Sequence, residues 1–166
     1  MPGHTGAVTP AIALLESAGV PFGVHEYDRG DELRDFGVEA ADMLGLDPDQ
    51  VFKTLLVDTE GGDAPRDPVV AVAPVSTMVS MKLVAAAVGA KKASMCDPAA
   101  AERITGYVVG GISPLGQRKR LVTVVDESAE LFDVIYVSGG RRGLDIALSP
   151  VDLIAVLDAV AAPITA

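Results

Sequence analysis

The apolar positions of this chain fall into short runs, each broken by glycine, proline or a cluster of acids. Ile12, Leu14, Leu15 and Ala18 follow Thr9-Pro10. That spacing predicts a helix with Thr9 as N-cap, Pro10 at its first position and Gly19 as its stop. Phe22–Tyr27 reads as a short strand, residues 28–35 as a charged loop, and Phe36–Leu44 as a helix closed by Gly45. Val51–Asp58 and Val69–Ala73 read as strands of a hairpin joined by the exposed connection Glu60–Pro65. Met81–Val88 is helical up to Gly89 and is followed by Lys91-Lys92. Asp97-Pro98 opens a helix over Ala99–Ile104 that Gly106 ends. Three strands follow, Leu121–Val125, Val134–Val137 and Leu144–Leu148, and Ser149-Pro150 caps a last helix, Val151–Val160. Strands and helices mix without regular βαβ alternation, so the class is α+β with a mixed, curled sheet. One domain over residues 9–160 accounts for the pattern, with a loose tail at 1–8 that leaves His4 exposed and idle.

Two glycine-rich stretches interrupt this pattern. Gly106–Gly116 holds four glycines and a proline in eleven positions, and Arg118, Lys119 and Arg120 follow at once. Ser138-Gly139-Gly140-Arg141-Arg142-Gly143 echoes it. Glycine admits positive φ and close approach to the backbone, so both read as shaped loops whose amides face a group. Amides beside cations suit an anion, or an oxygen gaining negative charge. On Val51–Val57, alternation puts Lys53 on one face with Val51, Leu55 and Val57. A lysine there either snorkels at a sheet edge or projects its cation into the glycine-lined site.

Charge sharpens this picture. The net charge of 166 residues is −10, which argues against indiscriminate nucleic-acid binding, DNA included. Residues 1–76 carry 14 acids and 4 bases, whereas residues 77–143 carry 6 acids and 9 bases. The glycine stretches therefore lie in the net basic part of an acidic chain, as a local phosphate patch would. The single cysteine, Cys96, allows no intrachain disulfide. No basic-then-apolar leader occupies residues 1–20 and no apolar run spans a bilayer, so a cytoplasmic setting without membrane is expected.

Familiar chemistries find no support in the residues. His4 and His25 are too few for a zinc site, no Cys-x-x-Cys occurs, and neither a metal nor a cofactor is expected. Gly116 is followed by Gln117-Arg118, so the phosphate-loop reading fails, and Gly139-Gly140-x-x-Gly143 is no dinucleotide fingerprint. His25 reads as a structural histidine and Cys96 as a small core residue or one at a helix start. Ser113 and Ser138 have no candidate base nearby in sequence and read as hydrogen-bonding groups. Scarce aromatics leave base stacking unsupported. On this evidence the chain holds a glycine-walled anionic or carbonyl site with a lysine.

Three strings carry a resemblance: Phe52-Lys53-Thr54-Leu55, the stretch from Gly106 to Gly116, and Tyr136 to Asp145. Together with Thr9-Pro10-Ala11, Leu14-Leu15 and Val88-Gly89-Ala90-Lys91-Lys92, they resemble the YbaK family of aminoacyl-tRNA deacylases over about residues 9–160. The resemblance implies a mixed, barrel-like sheet flanked by helices. It also implies an enzyme acting in trans to remove cysteine wrongly attached to proline tRNA, and relation to the editing domain of prolyl-tRNA synthetase, with that synthetase as a partner. By local match, Tyr27, Lys53, Gly110, Ser138 and Asp145 carry the family's function. Thr54, Gly111, Ile112, Ser113, Gly139, Gly140 and Arg141 stand as further substrate contacts. Lys91, Lys92, Arg118, Lys119 and Arg142 stand as contacts to RNA phosphates. The mechanism implied uses the substrate's own thiol to attack its ester, so that the enzyme supplies orientation and oxyanion donors. A water-using deacylase for alanine, serine or threonine esters, and a non-catalytic tRNA- or synthetase-binding adaptor, are the alternatives. Arg34-Asp35 and Ser80-Met81-Lys82-Leu83 depart from the family pattern, the first in the loop expected near the acyl pocket and the second where RNA contacts are expected.

Overall fold

The computed structural model describes residues 8–27 and 41–166. The expectations for the tail with His4, for the loop with Arg34 and Asp35, and for the start of the helix over 36–44 lie outside these residues; residues 41–44 are helical.

Helix α1 spans Pro10–Ala18, with the Thr9 hydroxyl accepting from the Ile12 amide and Gly19 closing it at φ 69°. Helices α2 (Met81–Ala87), α3 (Pro98–Thr105) and α4 (Pro150–Leu157) start on Ser80, Asp97 and Ser149, whose side chains accept from first-turn amides. These side chains satisfy donors that a helix start otherwise leaves open. Helix α4 is shorter than expected. Asp158 turns left-handed at φ 51° and residues 160–162 form a strand, so the apolar spacing from Val151 to Val160 covers two elements.

Strands β1 (Gly23–Glu26), β7 (Leu144–Leu148) and β6 (Ile135–Arg141) form a three-stranded antiparallel sheet in the order β1-β7-β6. Strands β2 (Phe52–Glu60), β3 (Val69–Pro74), β4 (Lys92–Met95), β5 (Thr123–Asp126) and β8 (Val160–Ala162) form the second, in the order β4-β2-β3-β5-β8. β2 and β3 make the expected antiparallel hairpin, whereas β5 runs parallel to both β3 and β8. The sheet is mixed as expected, but it is divided in two and does not close into a barrel. A parallel bridge between Val51 and Tyr136 joins the two sheets, with the Tyr136 amide donating to Gln50 O at 3.0 Å.

β3 is buried along its whole length. Its Val70 and Val72 face the main core, formed with Ile12, Leu15, Phe52, Leu56, Leu115, Val137, Ile146 and Leu153. Its Val69, Ala71 and Ala73 face a second core closed by Val84 of α2 and Ile164. A strand buried on both faces shows an unbroken apolar run, which is the sequence seen at Val69–Ala73. Among the described residues no helix is long and apolar enough to cross a membrane.

Candidate functional site

The hairpin β6–β7 replaces the second expected loop. Ser138 to Arg141 belong to β6, with a register irregularity between Ser138 and Arg141, and the turn is confined to the next residues. Two of its glycines serve packing. A Cβ on Gly139 would lie 2.8 Å from Leu144 Cγ, and one on Gly140 would lie 2.9 Å from Tyr107 Cε1. In the first loop, Gly111 packs likewise, since its Cβ would meet the Arg141 Cα at 2.8 Å. These glycines let the two glycine stretches touch each other; they do not line the cavity.

That cavity, about 390 Å³, lies where the small sheet meets the start of β2. It is lined by Tyr27, Lys53, Thr54, Gly110, Ile112, Ser138 and Asp145, seven of the residues expected at the site, drawn from four separate parts of the chain. The register explains part of the convergence. Asp145 on β7 sits between His25 on β1 and Ser138 on β6 as paired positions, so all three share one face of the small sheet. His25 packs edge-on to Tyr136 with ring centroids 5.3 Å apart, a structural role. Phe52, Leu56, Met95, Cys96, Pro98 and Ala101 form an apolar wall that was not foreseen. The sequence marks the helix start at Asp97-Pro98 but not the unexpected strand β4, which turns that start toward the cavity.

Electrostatics differ from residue to residue. The Lys53 ammonium donates to the Thr77 carbonyl at 2.6 Å, and Thr77 Oγ1 donates to Pro74 O at 2.7 Å. A turn thus holds the cation, which among the described residues pairs with no acid. Asp145 is 5% exposed, and burial pushes its carboxyl up to about 7. Thr54 Oγ1 is buried and has no hydrogen-bond partner among the described residues, and Thr54 lines the cavity. Burial, then the nearby Asp58, pushes the Cys96 thiol up, which keeps it protonated and a poor nucleophile. Ser138 Oγ accepts from the Gly140 amide at 3.2 Å, and no hydrogen bond among the described residues ties it to a base.

The remaining candidates lie apart from the cavity. Ser113 is fully buried and caps its own loop through the Leu115 amide. Arg141 pairs with Glu26 at 3.1 Å and Lys119 with Asp67 at 3.0 Å. The Arg142 Nε donates to Val109 O at 2.9 Å. Arg118, Lys91 and Lys92 are exposed. Lys92 pairs with Glu60, seven residues along β2 from Lys53, or about 23 Å at strand rise. Among the described residues no group of three His, Cys, Asp or Glu is placed to hold a metal ion.

Comparisons with known proteins bear on the chain as a whole. The sequence profile of the aminoacyl-tRNA editing domain matches residues 32–156. A protein of Enterococcus faecalis, provisionally named Cys-tRNA(Pro)/Cys-tRNA(Cys) deacylase EbsC, is 34% identical over 157 residues, covering 95% of this chain and 93% of that protein. A solved structure provisionally described as a trans-editing enzyme for prolyl-tRNA synthetase superposes with TM-score 0.79 at 21% identity, covering 95% of each chain. A second, described only as a hypothetical protein, superposes with TM-score 0.81 at 23% identity, covering 95% of this chain and all of that one. At those identities the two structures speak for the fold alone.

Proposed function

The chain belongs to the aminoacyl-tRNA editing domain family, and from that premise we propose that it is a deacylase acting in trans to clear cysteine from tRNA(Pro). The observation that carries the reading is the cavity itself: a lysine, a buried acid and a glycine converge there, and no activated nucleophile joins them among the described residues.

A cysteinyl ester brings its own nucleophile. Its side-chain sulfur gives up a proton and attacks the ester carbonyl carbon. The C–O bond to the tRNA ribose breaks, the ribose oxygen takes up a proton, and a four-membered thiolactone leaves. The protein's part is to hold the sulfur against the carbonyl and to stabilise the oxyanion. Orientation contributes by turning an encounter into a near-attack geometry. Each oriented donor lowers the barrier by roughly 3–4 kcal/mol. Gly110, which lines the cavity, serves as the oxyanion donor. Ionised Asp145 holds the substrate's α-ammonium, Tyr27, Thr54 and Ser138 orient the aminoacyl end, and Lys53 holds the terminal phosphate or ribose. Arg118, Lys91 and Lys92 reach phosphates further along the RNA. The reaction belongs in the cytoplasm, where charged tRNA is, and prolyl-tRNA synthetase is the fitting partner.

The test uses tRNAs charged with cysteine, serine, alanine and proline, following ester loss and the released sulfur product. Cysteinyl ester should disappear fastest with thiolactone as first product, and Lys53→Ala should abolish it. Serine esters cleaved as fast as cysteine esters would sink the thiol route, and no cleavage of any ester would sink the deacylase reading.

A further inference from the structure

Val109 is gripped from outside the cavity through both of its flanking peptide units, the one shared with Val108 and the one shared with Gly110. The Val109 amide donates to Glu102 Oε2 of α3 at 2.7 Å. The Val109 carbonyl accepts from the Arg142 Nε, beyond the end of β6, at 2.9 Å. The Gly111 amide donates to Val108 O at 2.8 Å, closing a tight turn around them. Gly110 itself sits at φ 88°, a conformation that side chains with a Cβ rarely adopt. All described peptide bonds are trans, and in a trans peptide the N–H points opposite to the C=O of the same plane. The carbonyl of Val109 turns toward Arg142, which is exposed and not part of the cavity lining. The Gly110 N–H therefore turns the other way. It has no hydrogen-bond partner among the described residues, although Gly110 lines the cavity.

We propose that Glu102 and Arg142 are positioning residues, a two-sided clamp on Val109 that fixes the Gly110 N–H as the oxyanion donor of the cavity. The proposal rests on the deacylase reading and deepens it. It gives Arg142 a different task from that of a phosphate contact: its guanidinium sets a dipole behind the reacting carbonyl. It also gives Glu102, which the sequence did not single out, a place in the site. A donor whose own peptide plane is held by one charge-assisted hydrogen bond, with the preceding plane held by another, needs little reorganisation as charge develops, and such preorganisation is the source of its effect.

The experiment compares the full chain with Arg142→Met, Arg142→Lys, Glu102→Leu and Glu102→Gln. Each is assayed on cysteinyl-tRNA and on the 3′-cysteinyl ester of adenosine, over a range of salt. A loosened donor acts in the transition state, so Arg142→Met and Glu102→Leu should each lower kcat about ten- to a hundredfold on both substrates. KM should stay within about twofold. The salt dependence on tRNA should match that of the original protein. Arg142→Lys and Glu102→Gln, which keep a donor and an acceptor, should recover most of the loss. If Glu102→Leu does not fold, the exposed Arg142 pair decides alone. A rise in KM confined to tRNA, with a flatter salt dependence, would make Arg142 a phosphate contact and overturn the clamp. Unchanged rates in all four variants would overturn it as well. If the unmutated protein cleaves neither ester, the deacylase reading falls, and the clamp with it; in the other cases that reading stands.

Discussion

At the scale of single residues, Asp145 and Thr54 are polar groups held in a largely apolar setting at the cavity. Asp145 has a folded-state value of about 7 against 3.8 in the unfolded chain, because burial disfavours its charged form. The folded protein binds this proton more tightly, so the contribution to stability is full below pH 4 and is lost as pH rises toward 7. Asp145→Asn removes that loss. Melting curves should show the variant gaining on the parent between pH 4 and 7, by roughly 4 kcal/mol at most, and holding that gain above 7. Activity runs the other way, since holding an α-ammonium requires the ionised form; kcat/KM of the parent should rise through about pH 7. Thr54→Val should also split the two readouts. Losing an unsatisfied hydroxyl raises stability by about 1 kcal/mol or more, while the ester loses a partner and kcat/KM falls. A variant both less stable and fully active would contradict this account of Thr54. Sequence pattern placed Lys53 correctly on its strand face but could not show the Thr77 carbonyl that aims it, because that contact depends on a turn 24 residues away.

At the scale of elements, the two glycine stretches were legible as one unit but not as one kind of structure. Gly106–Gly116 is a loop, as its composition indicates, whereas Ser138–Arg141 is strand. The glycines of the second stretch suggest a turn when only local conformation is considered. Their actual cause is the crowding of Leu144, Tyr107 and Thr9, which a single chain segment does not reveal. Strand β4 was missed because Lys92–Met95 is short, largely exposed and lacks the apolar alternation that marks a strand. Helix starts, in contrast, were legible wherever a capping side chain and proline coincide, as at Thr9-Pro10 and Ser149-Pro150. Gly116 offers the sharpest test of the packing view. Its Cβ would lie 2.5 Å from the Pro10 carbonyl, and its φ is 68°. Gly116→Ala should cost at least about 2 kcal/mol and lower the melting temperature by several degrees. An unchanged melting temperature would mean that loop and helix can separate there.

At the scale of the whole molecule, a protein of net charge −10 carries exposed Arg118, Lys91 and Lys92, the phosphate contacts of the proposed function. Attraction must then be local, and salt should expose it. The kcat/KM for cysteinyl-tRNA should fall steeply with ionic strength while that for a small cysteinyl ester barely changes. Arg118→Gln should reduce the tRNA slope by about 1. Equal slopes for both substrates would place the RNA elsewhere.

The bridge from Val51 to Tyr136 carries a further consequence. It links positions far apart in the chain, and on either side of it stand Lys53 and Ser138, so the cavity they line exists only after the two sheets have met. Closing so long a loop is slow relative to forming a hairpin or a helix. During refolding, secondary structure should recover first, and the ability to turn over an ester should return only in the last kinetic phase.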